Sequence, residues 1–286
     1  MKDKPTYNTI SGRWQKYQGA VLWQALPYDP QTPSYDEAVK AVKENRAIFA
    51  RWTSDFDLGT KSEWWYCVCD RFTKIEDLTS KQRYRVKRGL ANCQIDIYNH
   101  LSENQIEDIC QLFVESFADY PDAYRPKIDG EETKRWLHQL MSDSSINVWL
   151  CYKDAQLIGF CYCQLEKDVV WLKQVKVPTK HLGTDVNAAL GYKICEYYLE
   201  QKSYRFICDG ERNIKHQTNY QDFLIRVLNF RYAYCKLNIA YAWWMRIVIA
   251  IIFPFRKIIG ILGIKSPQLY NVYCVLKQEE IRKSFI

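Results

Sequence analysis

The feature that most constrains this chain is the order of patterned segments between Ile146 and Tyr241. Ile146 to Tyr152 and Leu157 to Leu165 are short apolar runs rich in Val, Ile, Trp, Tyr and Cys. The turn Lys153-Asp154-Ala155-Gln156 separates them, which is a β-hairpin signal. Val169 to Val177 predicts a third strand, stopped by Pro178, whose ring fixes φ and removes a backbone donor. The loop Thr179 to Thr184 follows, and Asp185 then opens a helix. Val186, Leu190, Ile194, Cys195 and Tyr198 recur in that helix near the helical period, so one face is buried. Tyr204 to Cys208 is short and β-rich enough to be a buried strand, closed by the polar Asp209-Gly210-Glu211-Arg212. Thr218 or Asn219 caps a further helix with Phe223, Leu224, Val227 and Leu228 inward, and Arg231 to Tyr241 returns as a strand.

This succession resembles the core of the GNAT superfamily of acyl-CoA N-acyltransferases, including its FemABX-like branch, which is built from two such domains. It covers about a third of the chain and is first an argument about fold. Two local details carry it further. A loop containing Gly183 lies between strand and helix where that family cradles the pyrophosphate of its acyl carrier, and Asn229-Phe230 stands where the family ends its last helix with Gly-Phe. The chain departs from the family in a loop poorer in Arg and Gly. It also has Ile225 and Arg226 where the family usually places a general-acid Tyr. The fold implied is α/β: a GNAT-like mixed sheet flanked by helices, with a smaller N-terminal α/β unit and a C-terminal apolar helical segment.

The division expected is 1–92 for the smaller unit, an analogue of a degenerate GNAT-like half, 93–241 for the acyltransferase core and 242–286 for the apolar segment and tail. In the first part, Gly19 to Ala25 and Ala47 to Trp52 predict strands, and Tyr35 to Asn45 predicts a helix with Asp36 and Glu37 in its first turn, where the macrodipole favours acids. Glu63 to Cys69 is strongly β-prone. Leu101 to Tyr120 predicts a helix opened by the capping box of Ser102 and Gln105, and Glu131 to Asp143 a second one. Leu269 to Leu276 predicts a last strand, before the polar tail 278–283.

A length of 286 residues and a 48% hydrophobic, 15% aromatic composition support a packed core and argue against disorder. The 11 Cys are scattered. Cys67/Cys69 and Cys161/Cys163 have C-x-C spacing, which places both thiols on one strand face; buried free thiols fit this better than zinc, so no metal is expected. The first residues lack an apolar signal region, and a reducing cytoplasm suits the cysteines.

The net charge of +7 favours anionic partners mildly. Lys81, Arg83, Arg85, Lys87 and Arg88 form the densest basic segment. It is either a solvated helix face or a site where cations converge on a phosphate of RNA, a nucleotide sugar, a lipid carrier or coenzyme A. Trp243 to Leu262 contains the apolar run Ile247 to Phe255, far short of the roughly 20 residues that a spanning helix needs. Tryptophans at one end, flanking Arg246, Arg256 and Lys257, and Pro254 between suit two helices lying in an anionic membrane interface. The alternative is a helix hairpin packed on the core or on a second subunit. The placement expected is cytoplasmic, peripheral at the inner membrane.

The four His, His100, His138, His181 and His216, show no metal-ligand spacing, and no G-x-S-x-G elbow places a nucleophilic Ser. Acyl transfer to an amine needs a base, donors for the thioester oxygen and a cradle for the carrier's phosphates. From the resemblance, the backbone of Lys180, His181, Leu182, Gly183 and Thr184 holds the phosphate at the helix start, with Asn219 assisting. Gln174, Asp209 and Glu211 are the catalytic candidates, Lys176 flanking the same splayed strand. Tyr120, Tyr124 and Arg125, in the loop between the first two core helices, are candidates for the acceptor, and Arg83, Arg85 and Arg88 for an anionic substrate. The activity implied is transfer of an acyl group from acetyl-CoA or another acyl-CoA to the amine of a small metabolite or sugar precursor. The alternatives are a FemABX-like transferase that uses aminoacyl-tRNA, and a silent GNAT-like module that binds an anionic ligand or a membrane.

Overall fold

The protein, as a computed structural model, is described over residues 6–9, 12–118, 128–215, 219–264 and 266–285, with side chains from Trp14 onward. Its elements in chain order are β1 (Thr6–Thr9), β2 (Gly12–Tyr17), β3 (Ala20–Trp23), α1 (Tyr35–Glu44), β4 (Phe49–Ser54), β5 (Trp65–Cys69), α2 (Ser80–Asn92), β6 (Gln94–Tyr98), α3 (Glu103–Ser116), α4 (Gly130–Met141), β7 (Ile146–Lys153), β8 (Gln156–Glu166), β9 (Val169–Lys176), α5 (Val186–Cys195), β10 (Phe206–Glu211), α6 (Tyr220–Leu228), β11 (Arg231–Tyr234), β12 (Lys236–Tyr241), α7 (Trp243–Ile252), α8 (Arg256–Gly263) and α9 (Pro267–Lys283). A seven-stranded sheet has the order β11-β5-β10-β9-β8-β7-β6, and a five-stranded sheet the order β1-β2-β3-β4-β12.

The contacts divide the chain into two units. The first contains Cys67–Gly210 and Asn219–Arg231; the second takes the chain before Cys67, the segment that starts at Glu211, and the chain from Tyr232 on. This is an interleaved division, where the sequence suggests consecutive segments cut at 92 and 241.

In the first unit, α2 and α3 start at the capping boxes of Thr79 with Gln82 and of Ser102 with Gln105, each satisfying otherwise orphaned N–H groups. The β7–β8 hairpin turns through Asp154 and Ala155, both at positive φ, the geometry that matches the twist of the strands. Along β7 and β8 alternate residues enter two different cores. Val148, Leu150, Leu157 and Phe160 pack with α3 and α4 residues such as Ile109, Phe113 and Leu137. Trp149, Cys151, Ile158, Cys161 and Cys163 pack with Val86 of α2, Leu190 and Ile194 of α5 and Leu224 of α6. The sheet is therefore covered on both faces, which is why its strands read as continuous apolar runs.

In the second unit α1, with its Ser34–Glu37 capping box, buries Ala38, Ala41 and Val42 against Val21, Ala50 and Trp52. Two expectations fail here. Arg231 to Tyr241 is two strands, β12 pairing antiparallel with β4. Leu269 to Leu276 lies inside α9, which Ser266 caps by accepting from the Leu269 N–H and which begins with Pro267, a residue pre-set for the first helical position. Trp243 to Leu262 is a pair of helices, α7 and α8, joined by a short turn through Phe253–Phe255. No helix among the described residues is long and apolar enough to cross a membrane.

Candidate active site

β9 and β10 run parallel but pair only at Phe206–Val169, Ile207–Val170 and Cys208–Trp171. Beyond Trp171 and Cys208 the two strands part, and the sheet of the first unit opens into a wedge. β9 also carries a bulge against β8: Tyr162 faces Gln174 while Cys163 faces Leu172, so Lys173 is an extra residue. Without it, the two-residue period would place Gln174 on the same face as Leu172. With it, Gln174 lies opposite Tyr162 and Lys176 opposite Phe160, on the α3/α4 face.

Gln174 Oε1 is buried with no hydrogen-bond partner, an unusual state for a side-chain amide. Lys176 stacks its ammonium 4.1 Å from the Phe117 ring centroid, and burial pulls its pKa down. Across the wedge, Asp209 follows Ile207 in alternation and so faces the α2/α5/α6 core. Burial raises its carboxyl to about 7, partly offset by a hydrogen bond from Gln221. Tyr220, in the first turn of α6, has its phenol pushed up by burial and next by the negative charge of Asp209. A carboxyl that exchanges its proton near neutrality beside a phenol that keeps its own is suited to proton transfer. The resemblance looks for a general-acid Tyr near Ile225, where this chain has none; Tyr220 lies one and a half turns earlier, within reach of the Asp209 charge.

The loop after β9 winds into a 3₁₀ turn, Thr179–Thr184, and does not lie open as a cradle. Lys180 pairs with Glu115 at 2.8 Å, His181 Nε2 is buried without a partner, Leu182 is exposed, and the Thr184 hydroxyl donates to the His181 carbonyl at 2.7 Å. Burial lowers the His181 pKa. A Cβ at Gly183 would meet nothing within 4 Å. Asp185 opens α5 from a left-handed conformation, φ 58°, and its side chain makes no capping bond. Its carboxylate, 3% exposed, meets Arg85 at 2.7 Å and Arg88 at 2.5 Å, and Arg88 also donates to the Gly183 carbonyl at 2.8 Å. Arg83 donates to the carbonyls of Glu76 and Leu78, both at 2.9 Å. The three arginines offered for an anionic substrate thus already have partners within the first unit. Lys81 and Lys87 are the exposed cations of α2.

Asn219 stands at the start of α6 without a capping bond, and with Asp222, Ile225 and Arg226 lines an open depression of about 380 Å³. Tyr120, Tyr124 and Arg125 lie outside the described residues, as does Thr218. All eleven cysteines are free thiols.

Glu211 belongs to the second unit and to a different set of contacts. Its carboxylate accepts from Thr53 Oγ1, from the Tyr66 hydroxyl at 3.0 Å and from Arg51 at 3.1 Å. Trp64 Nε1 donates to Thr53 at 2.9 Å, and Arg51 reaches Gln278 at 3.0 Å. With its oxygens so engaged, Glu211 is placed as a hub between β4 and α9 and poorly placed as a free base. Glu211→Ala is expected to lower stability by roughly 2 kcal/mol, since it leaves a half-buried guanidinium and two hydroxyls short of an acceptor. A urea titration of the variant measures this.

No protein-family model matches the chain, and no curated protein does. Solved structures do. The C-terminal DUF2156 domain of a putative lysylphosphatidylglycerol synthetase from Agrobacterium fabrum superposes with a TM-score of 0.52 at 11% identity, over 82% of this chain and 83% of that one. L-PGS from Bacillus licheniformis gives 0.51 at 10% identity, over 84% and 83%. The fold is GNAT-like. A tandem GNAT protein from the clavulanic acid biosynthesis pathway also aligns, with a TM-score of 0.48 at 11% identity over 80% of this chain and 78% of that one. At these identities the likeness concerns architecture.

Proposed function

We propose that the chain is an N-acyltransferase that moves an acyl group from a thioester carrier, acetyl-CoA or another acyl-CoA, to an amine of a small metabolite or sugar precursor. The observation that supports it most is the wedge between β9 and β10 with Asp209, its carboxyl near 7, at the edge. In this reading the amine nitrogen attacks the thioester carbon, the new C–N bond forms and the C–S bond breaks. Asp209 takes the amine proton and Tyr220 gives a proton to the leaving thiolate. Gln174, whose buried Oε1 lacks a partner on the α3/α4 face of the parted strand, orients the acceptor from that side.

The carrier's phosphates would meet the 179–184 turn and the first N–H groups of α5, which have no partner inside the helix. Lys180 can serve there only by leaving Glu115, so the residues present fit a phosphate less well than a Gly- and Arg-rich loop would. Calorimetric titration with acetyl-CoA tests the reading. Binding is expected, and Gly183→Glu, which has room for its side chain but adds a like charge, should weaken it about tenfold with an unchanged urea midpoint. No binding at millimolar acetyl-CoA overturns the CoA-dependent version. Binding without thiol release over a panel of amines would make the chain a silent module.

A second reading is an aminoacyl-tRNA-dependent transferase acting on a lipid or a small amine, and two of the solved structures that superpose on this chain are described as a putative lysylphosphatidylglycerol synthetase domain and L-PGS. It would rest on Lys81 and Lys87 for phosphate contacts, since Arg83, Arg85 and Arg88 are engaged. Salt-sensitive tRNA binding in place of acetyl-CoA binding would favour it.

A further inference from the structure

A surface helix ordinarily turns its apolar stripe inward. α8 does the reverse. Its close contact with α9 is made by glycines: a Cβ at Gly260 would stand 2.9 Å from the Tyr273 ring, and one at Gly263 would stand 3.1 Å from Tyr270 Cα. Its isoleucines are left outside, Ile258 and Ile261 on one face and Ile264 just beyond the helix end, the last 82% exposed. α7 behaves alike, burying Ile249 while Trp243, Ile247 and Ile251, four residues apart, stand outside, Trp243 at 78% exposure. A monomer ordinarily leaves only a few hundred Å² of contiguous apolar surface bare, and a larger patch marks an interaction site; here two successive helices both turn Ile or Trp outward.

The charge carried by this stretch of the chain has one sign. No Asp or Glu occurs between Asp222 and Glu279, whereas Arg246, Arg256, Lys257, Lys265 and Lys277 fall within 243–278. Arg256 and Lys277 pair with Glu280. Arg246 and Lys257, both exposed, have no acid partner among the described residues. An apolar protein partner would not select for unpaired cations beside the isoleucines, but anionic head groups over an acyl layer match both.

We propose that the outer face of α7 and α8 is a docking surface for an anionic lipid interface, entered by Trp243, Ile247, Ile251, Ile258 and Ile261 with Arg246 and Lys257 on lipid phosphates. This is independent of the acyl-transfer reading. The test is flotation of the full chain with phosphatidylcholine vesicles, with and without phosphatidylglycerol. Binding is expected to require phosphatidylglycerol and to fall with salt. Arg246→Gln with Lys257→Gln should weaken it about 30-fold, from roughly a fivefold contribution per cation. Ile258→Ser with Ile261→Ser, at positions already in solvent, should abolish it without moving the thermal midpoint. Trp243→Phe should remove a blue shift in tryptophan emission on vesicle addition. No flotation, or flotation that ignores phosphatidylglycerol or survives the Ile258/Ile261 variant, overturns the proposal. A concentration-dependent dimer in sedimentation that the same variant dissociates, with no vesicle binding, would assign the face to a second copy of this chain.

Discussion

Asp209→Asn is expected to lower the rate of thiol release by about 10² to 10⁴-fold while making the protein more stable at alkaline pH. The first effect is what the proposed role of Asp209 as base requires. With the wild-type carboxyl at about 7, activity should rise with pH through that value and level off above it, because the base works only deprotonated. The second effect follows from linkage. An ordinary aspartate near 3.8 governs the unfolded chain, so between about 4 and 7 the folded state holds a proton that the unfolded state has released. Stability therefore falls as pH rises across that window, and the penalty is complete above it. The difference would be at most roughly 4 kcal/mol for a fully buried group, and partial exposure brings it to about 2. Asn is neutral at every pH and escapes the penalty. Urea unfolding at pH 4, pH 5.5 and pH 8.5 should show the variant's lead small at the lowest pH, growing through the window and complete at the highest. Equal pH dependence in both would remove Asp209 from the role.

Gly89→Ala is expected to be the most damaging small change outside the wedge. Gly89 lies in the middle of α2, where Ala would ordinarily gain close to 1 kcal/mol of helix propensity. Here a Cβ would run into the backbone carbonyl of Asp185 and stand 2.8 Å from the Ala189 Cβ. Neither obstacle is a flexible side chain that can rotate away. Backing α2 off would also stretch the pairs that Arg85 and Arg88 make with the buried Asp185 carboxylate. A net loss of roughly 3 kcal/mol is expected, read as a lower urea midpoint with the slope unchanged. Gly191→Ala is the contrasting case, since it meets only the movable tip of Leu228.

The elements that sequence alone makes legible here are those whose signal is local. The β7–β8 hairpin, the Ser102–Gln105 and Ser34–Glu37 boxes and the split of the C-terminal apolar run at Pro254 follow from turn chemistry, caps and a fixed φ, each settled within a few residues. α9 breaks the pattern: Val272, Tyr273 and Val275 favour a strand, but Ser266 and Pro267 start a helix and packing on α8 keeps it. Asp185 misleads in another way. Its type and place say N-cap, and its side chain instead meets arginines that are about a hundred residues distant in the chain.

The candidate site divides along the same line. Chain order determined that two strands would end near one another with polar residues at their tips, Gln174 and Lys176 on one and Asp209 on the other. Only the tertiary structure decided which faces these occupy, because the residue inserted at Lys173 reverses the alternation of β9 and the register with β8 is long-range. It likewise decided that Glu211 is held by Arg51, Thr53 and Tyr66, that α2's arginines hold Asp185, and that the charge of Asp209 is felt by the buried Tyr220. Local propensity is written in neighbouring residues and can be read from them. The partner of a buried charge, and the proton affinity that burial imposes, depend on what the fold brings from elsewhere in the chain.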